Sequence, residues 1–397
     1  MTLPVAVLGA GPVGLAAAAH LRERGIPFVV LEQGATAGDA VRRWGHIRLF
    51  SPWEHVVDRA AVRLLGDWQE PATGRAPTGA ELRAFYLLPL AAALVEHIRY
   101  DTRVLAIGRD GMDRTRSTGR AAAPFVLALS DGTTLRARAV IDASGTFDQP
   151  NPVLASGLPT ETAAPAMPDV LGVDRSRFAG RHTVVVGSGH SAANTLIALA
   201  TLALEEPATT VTWVIRSSSP SRVYGAEADA LEGRASLGSR LRSLVDAGRV
   251  TLVTGFAVER VEGAVLHGRD GATITGAELV VATGFRPDLA MLREIRLDLD
   301  AVIEAPRRLA PLIDPNLHSC GTVPPHGIAE LRHPEPDFFL AGMKSYGRAP
   351  TFLLLTGYEQ VRSIVAHLAG DVEAASRIDL LLPATGVCST DETSCCA

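Results

Sequence analysis

Short apolar runs along the chain are each followed by a glycine pair and then by a helix-length apolar stretch. The first, Val5 to Leu8, is long enough for one buried parallel strand. Gly9, Gly11 and Gly14 follow it; Ala16 to Arg24 reads as a helix, Phe28 to Leu31 as a second strand, and Glu32 stands at that strand's end. The pattern returns at Thr183 to Val186, with Gly187-Ser188-Gly189-His190-Ser191-Ala192, a helix to about Leu204, and a strand from Val211 to Ile215 ending at Arg216. After each of these units comes strand patterning. Tyr100 to Gly108, Phe125 to Leu129 and Thr134 to Asp142 form one meander with a turn at Asp131-Gly132, and Val250 to Ala282 a second with a turn at Asp270-Gly271. The first meander closes on Ala143-Ser144-Gly145 and the second on Ala282-Thr283-Gly284, so the two halves share one plan.

Between the halves, Asp148 to Asp169 is rich in Pro, Ala and Thr and marks a domain crossover. Glu81 to His97 reads as a mostly apolar helix interrupted near Pro89. Late in the chain, Asp337 to Gly342 reads as a buried strand and Thr351 to Leu368 as an amphipathic helix. The polar stretch beyond Pro383 reads as a flexible tail. The expected fold class is α/β: two Rossmann-like three-layer nucleotide-binding domains, one inserted into the other. Expected limits are 1–155 plus 286–382 for the outer domain, 156–285 for the inner one, and 383–397 for the tail.

The glycine turns carry the chemistry. Gly9 permits a tight turn, Gly11 lets the backbone approach a pyrophosphate, and Gly14 lets helix and strand pack closely. The helix start then offers unpaired N–H groups and a positive dipole end to phosphates. A carboxylate at Glu32 suits a free ribose 2′-OH, whereas Arg216 followed by Ser217-Ser218-Ser219 suits a 2′-phosphate. This difference assigns FAD to the first turn and NADPH to the second. The loop after Glu32 has Trp44, Leu49, Phe50 and Trp53 as apolar surface for a flavin, or as ordinary loop packing.

Composition narrows the class. With 397 residues, 47% hydrophobic and 20% charged, the chain has room for two or three packed units. A net charge of -5 gives no case for nucleic acid. No run approaches the roughly 18 apolar residues of a membrane span. The N-terminus lacks the basic segment of a secretory signal. Four cysteines, Cys320, Cys388, Cys395 and Cys396, are no disulfide scaffold, so a cytoplasmic location is expected.

With GAGPVG and Glu32, GSGHSA and Arg216, ATGFRPD, and FFLAGM before a helix, the chain resembles the flavin-containing monooxygenase group of FAD- and NADPH-dependent, two-dinucleotide-binding flavoproteins over roughly residues 1–370. PDVLG, SCGTVPPHG, KSYGRAPTF and the cysteine tail look most like the subgroup associated with bacterial arsenic resistance. The resemblance implies FAD contacts at Gly9, Gly11, Pro12, Val13, Gly14, Glu32, Gln33, Trp44, Val104, Ser144, Gly145, Gly342 and Thr351. It implies NADPH contacts at Gly187, Gly189, His190, Ser191, Arg216, Ser217 and Gly284. There are two departures. The histidine of the F-x-G-x-x-x-H motif usual before the second glycine turn is missing from MPDVLGVDRSRFAG, and Met343 follows Gly342 where related disulfide reductases carry Asp.

The resemblance further implies an oxidoreductase that takes hydride from NADPH and delivers oxygen from a flavin C4a-hydroperoxide to a small soft nucleophile, with O2 as co-substrate and a homodimer as candidate assembly. Lys344, Tyr346 and Arg348, just before the last helix, are candidates to line the ring or substrate pocket. A rival expectation is an NADPH-dependent reductase of disulfides or thiol-bound metalloids, with Cys320 as its internal thiol. A third is soft-metal sequestration by Cys388, Cys395 and Cys396.

Overall fold

Nine short parallel strands form the centres of two sheets. In chain order they are β1 (Val5–Leu8), β2 (Phe28–Leu31), β3 (Ile98–Arg99), β4 (Ala139–Asp142), β5 (His182–Val186), β6 (Thr210–Val214), β7 (Thr251–Val253), β8 (Glu278–Val281) and β9 (Phe338–Leu340). The first sheet has the order β9-β4-β1-β2-β3 and the second β7-β6-β5-β8. The structure, a computed structural model, describes residues 2–72, 74–161, 166–224, 232–315, 317, 323–350 and 352–380. They fall into two units, one from residues up to 148 and from 286 onward, the other from residues 149–285. The fold is the expected α/β class with parallel sheets.

In the first unit the sheet is buried on both faces, which is why its strands read as unbroken apolar runs. Val5 and Val7 face helix α1 (Pro12–Glu23) and the late helix Leu354–Leu368, whereas Ala6 and Leu8 face an antiparallel meander. That alternation is the two-residue period of a strand. The meander is Val104–Arg109, Phe125–Leu129 and Thr134–Ala137. The expected single strand from Thr134 to Asp142 is therefore two strands in different sheets. Ala137 ends the meander, the Arg138 N–H bonds to the Pro4 carbonyl, and Ala139 begins β4 beside Val5. Periodicity alone does not register a change of sheet.

The second unit repeats the construction. Helix α2 (His190–Glu205) packs against β5 and β6, and Val184, Val186 and Val214 meet Phe256, Val258 and Leu266 of its own meander. The two meander hairpins match atom for atom in their turns. Leu129 N–H bonds to the Thr133 carbonyl as Gly268 N–H does to that of Ala272, and Asp131 and Asp270 each cap the turn with a carboxylate. Gly132 and Gly271 have φ of +81° and +82°, the left-handed position such a loop requires. The ends of this unit lie side by side: Pro150 pairs with Phe285, and Asn151 bonds to Thr283 and Gly284.

The helix expected over Glu81 to His97 is three pieces, Gly79–Leu82, a π-helical turn Arg83–Leu87, and Leu88–Ala93. Pro89 does not stop it. Lacking an N–H, Pro89 leaves the Phe85 carbonyl free, and the Trp68 indole donates to that oxygen at 2.8 Å.

The first unit also contains a polar core. Glu335 is 1% exposed and accepts from Arg109 at 2.8 Å and from Arg120 at 2.7 Å. Burial opposes its charge, but the two guanidiniums more than offset this and hold its carboxyl below the usual carboxylate range. Nearby, His333 Nδ1 accepts from the Asp298 N–H, so Nε2 carries the proton and is buried without a partner. Burial pushes the imidazole down from 6.5 to about 4. In that window the unfolded chain binds a proton that the folded unit refuses, so stability is full above pH 6.5 and falls as pH drops toward 4. Thermal unfolding between pH 7 and 5 should therefore show an acid loss that His333→Asn removes, with a slope difference of about 1.4 kcal/mol per pH unit.

Candidate nucleotide-binding sites

Both glycine turns are closed where the chain packs and open where a ligand would lie. At the first turn, Gly9 has φ +94°, and a Cβ there would stand 2.9 Å from the Ala143 carbonyl oxygen. A Cβ on Gly14 would overlap the Gly9 carbonyl, whereas one on Gly11 would meet nothing within 4 Å. At the second turn, Gly187 has φ +136° and a Cβ there would overlap the Ala282 carbonyl, while Gly189 again opens onto free space. Ala143 and Ala282 are the first residues of the two matching tripeptides. The same steric solution therefore occurs twice in one chain, and both cradles fit a dinucleotide's diphosphate.

The helix that follows each turn is uncapped. Gly11 and Gly189 are the N-cap residues of α1 and α2, neither helix has a side-chain cap or an acid in its first turn, and Pro12 occupies a first-turn position of α1. The first turn of such a helix, with its N–H groups and positive dipole end, suits an anion. His190 and Ser191 begin α2 half-buried, and Trp213 of β6 braces the turn by donating to the Gly187 carbonyl at 2.7 Å.

Glu32, 7% exposed at the end of β2, accepts from the Ala10 N–H at 2.6 Å and the Gly34 N–H at 2.7 Å. Burial raises its carboxyl above the ordinary value and the two backbone bonds partly oppose that rise. Each oxygen keeps a lone pair, so the group fixes the turn and can still accept from a ribose hydroxyl. At the equivalent place in the other unit, Arg216 is exposed and Ser217 bonds to the Ser219 carbonyl at 2.9 Å in a serine-built loop.

The remaining residues named from the sequence scatter more. Gln33 bonds to Asp148, Trp44 packs against Gly79, and Val104 is a core side chain beside Leu8 and Leu31. Val13 lies against both Gly342 and Gly357, which ties the late helix to α1. Gly145 and Gly284 share positive φ, +73° and +84°. Tyr346 is buried against Phe352 and His326, and burial drives its hydroxyl well above the ordinary tyrosine value. Arg348 is exposed, and Lys344 is fully buried. Thr351, Cys320, Cys388, Cys395 and Cys396 lie outside the described residues, and among the described ones no His, Cys, Asp and Glu side chains group to hold a metal.

Lys344 is the only lysine of the chain and its ammonium donates to Asp142 at 2.7 Å and to the Ser144 hydroxyl at 3.0 Å. Two residues unmarked in the sequence reading secure the neighbouring segment. Gln360 accepts from the Gly342 N–H and donates to Ser345, and His326 takes a bond from Gln360 while donating to the Pro324 carbonyl. An aspartate ending the apolar run of β4 was the visible signal for the first cluster; for Gln360 and His326 no local pattern exists.

The family model described as pyridine nucleotide-disulphide oxidoreductase matches residues 6–319. No curated protein sequence matches the chain. Among solved structures, the chain is similar to bacillithiol disulfide reductase from Bacillus cereus, with TM-score 0.67 and 20% identity over 93% of this chain and 99% of that one. It is also similar to a flavin-containing monooxygenase from Stenotrophomonas maltophilia, with TM-score 0.61 and 23% identity over 93% and 98%. Thioredoxin reductase from T. acidophilum follows with 0.54 and 15% over 94% and 99%. At these identities the likeness is one of fold.

Proposed function

We propose, since the chain belongs to the pyridine nucleotide-disulphide oxidoreductase family, that this FAD- and NAD(P)H-dependent oxidoreductase is an NADPH-dependent monooxygenase acting on a small soft nucleophile. The observation carrying the two-cofactor part is the pair of cradles, closed at Gly9 and Gly187 and open at Gly11 and Gly189. FAD, when bound, supplies hydride acceptance from the nicotinamide and electron delivery to O2. The chain's own residues do the holding. Glu32 accepts ribose hydroxyls, the first turn of α1 takes one diphosphate, and the first turn of α2 takes the other. Arg216 and the serines after it meet the 2′-phosphate. Tyr346 keeps its proton at neutral pH and so serves as an apolar wall with a hydrogen-bond donor, never as a base.

The overall change balances as nucleophile, O2, NADPH and a proton giving oxygenated product, water and NADP⁺. A thioether, a tertiary amine or a trivalent arsenical meets the requirement of an exposed lone pair on a soft atom. The rival, disulfide or metalloid reduction, needs a thiol pair beside the flavin. The sequence has only Cys320 before the three cysteines beyond residue 387, which favours oxygen transfer. Turnover under ¹⁸O2 tests the choice. Label in the product, one per NADPH, supports it; NADPH oxidation with dithiol formation from a disulfide substrate under argon rejects it.

Coenzyme choice gives a separate check. Arg216→Gln should weaken NADPH relative to NADH by about 10- to 100-fold in kcat/KM, the loss of a charge-assisted bond to a phosphate, with little change in NADH kinetics.

A further inference from the structure

The ends of three adjacent strands carry three different hydrogen-bonding characters. Glu32 closes β2, the open glycine turn closes β1, and Asp142-Ala143-Ser144 closes β4, in the spatial order β4-β1-β2. A ligand with its ribose on Glu32 and its diphosphate on the β1 turn must continue toward β4. Ser144 borders that turn directly, since a Cβ on Gly9 would lie 3.1 Å from the Ser144 Cα.

Ser144 is exposed as a residue, yet the bonding of its hydroxyl is already half decided from beneath. Its proton goes to Asp142 Oδ1 at 2.6 Å, because a carboxylate can only accept. One of its lone pairs takes the Lys344 ammonium at 3.0 Å. Asp142 Oδ1 also takes the Ser144 N–H at 3.2 Å, and Oδ2 takes Lys344 at 2.7 Å, so three of the carboxylate's roughly four acceptor positions are filled within this cluster. What remains on Oγ is a single lone pair. A ligand oxygen that only accepts, such as a phosphate or carbonyl oxygen, finds nothing to bond; a hydroxyl does.

We propose that the buried Lys344–Asp142 pair fixes Ser144 as an acceptor that takes a hydroxyl of the flavin cofactor's ribityl chain. Lys344 and Asp142 are positioning residues that act through Ser144. The inference rests on the FAD assignment above and specifies which group of that cofactor meets β4.

The test uses full-length protein stripped of flavin and titrated with FAD and with its 2′-, 3′- and 4′-deoxyribityl analogues, read by quenching of flavin fluorescence. Ser144→Ala should weaken FAD about 3- to 10-fold, the span of one neutral hydrogen bond. One deoxy analogue should bind wild type weaker by a similar factor and should lose nothing further in Ser144→Ala. The paired variant Asp142→Leu with Lys344→Met keeps the volume without the charges and leaves the serine proton no acceptor beneath it. It should bind FAD and that same analogue equally. A purely structural role would lower all four flavins by one factor, and that result overturns the proposal. Wild type that binds none of the four overturns both this inference and the FAD assignment; wild type that binds all four with no coupling overturns this inference alone.

Discussion

Gly11→Val should yield a folded, colourless protein. Nothing within 4 Å would obstruct a Cβ at Gly11, and its φ of -80° is one that any residue adopts, so the variant costs the fold little. The diphosphate of FAD, however, needs that space, and the loss of turn contact should weaken FAD by at least about 100-fold. Gly189→Val should behave as its mirror in the second unit: the protein keeps its yellow colour and loses NADPH by a similar factor. Visible absorbance of the purified variants, with circular dichroism to confirm folding, decides the matter. A yellow Gly11→Val would refute the placement of FAD, and an NADPH-reducible Gly189→Val would refute that of the nicotinamide coenzyme.

The largest stability effect is expected at Glu335→Ala. Removing this carboxylate leaves Arg109, 4% exposed and stacked 3.6 Å from the centre of the Phe125 ring, and Arg120, also 4% exposed, without their shared counter-charge. Both keep carbonyl partners, Ala123 and Pro336 for the first, Asp113 and Glu294 for the second. Those neutral acceptors do not cancel two buried charges. A loss of about 3–5 kcal/mol follows from breaking such a network on one side. In a unit of this size that lowers the midpoint of thermal unfolding by roughly 6–20 °C. Differential scanning calorimetry would measure it. A shift within experimental error would show that water reaches the guanidiniums and that the network stabilises little.

The parts of the molecule that were legible in the sequence are those fixed by local sterics. Gly9 and Gly187 are needed because a Cβ would strike the carbonyls of Ala143 and Ala282, and glycine spacing reveals such a need directly. Asp-Gly at 131–132 and 270–271 likewise announces its turn. What stayed hidden was decided at a distance. Lys344 and Asp142 are 202 residues apart, and no pattern around either announces the other. Placed by sequence before a helix start, Lys344 looked free to meet a ligand, whereas its charge is taken up inside the unit. The break at Arg138 was equally invisible, because residues on both sides have strand character and only the neighbouring Pro4 carbonyl separates the sheets. Pro89 misled in the opposite sense: its rule is sound, but the indole of Trp68 supplies the bond the helix lacks.

The meeting of Pro150 with Phe285, and of Asn151 with Thr283 and Gly284, has a consequence for descent. A segment whose two ends touch can be lifted out or exchanged at a single seam, because the host chain has only a small gap to rejoin. Whatever residues 149–285 recognise can therefore be inherited, lost or traded as one cassette, while the turn at Gly9 and the cluster at Ser144 evolve on their own account.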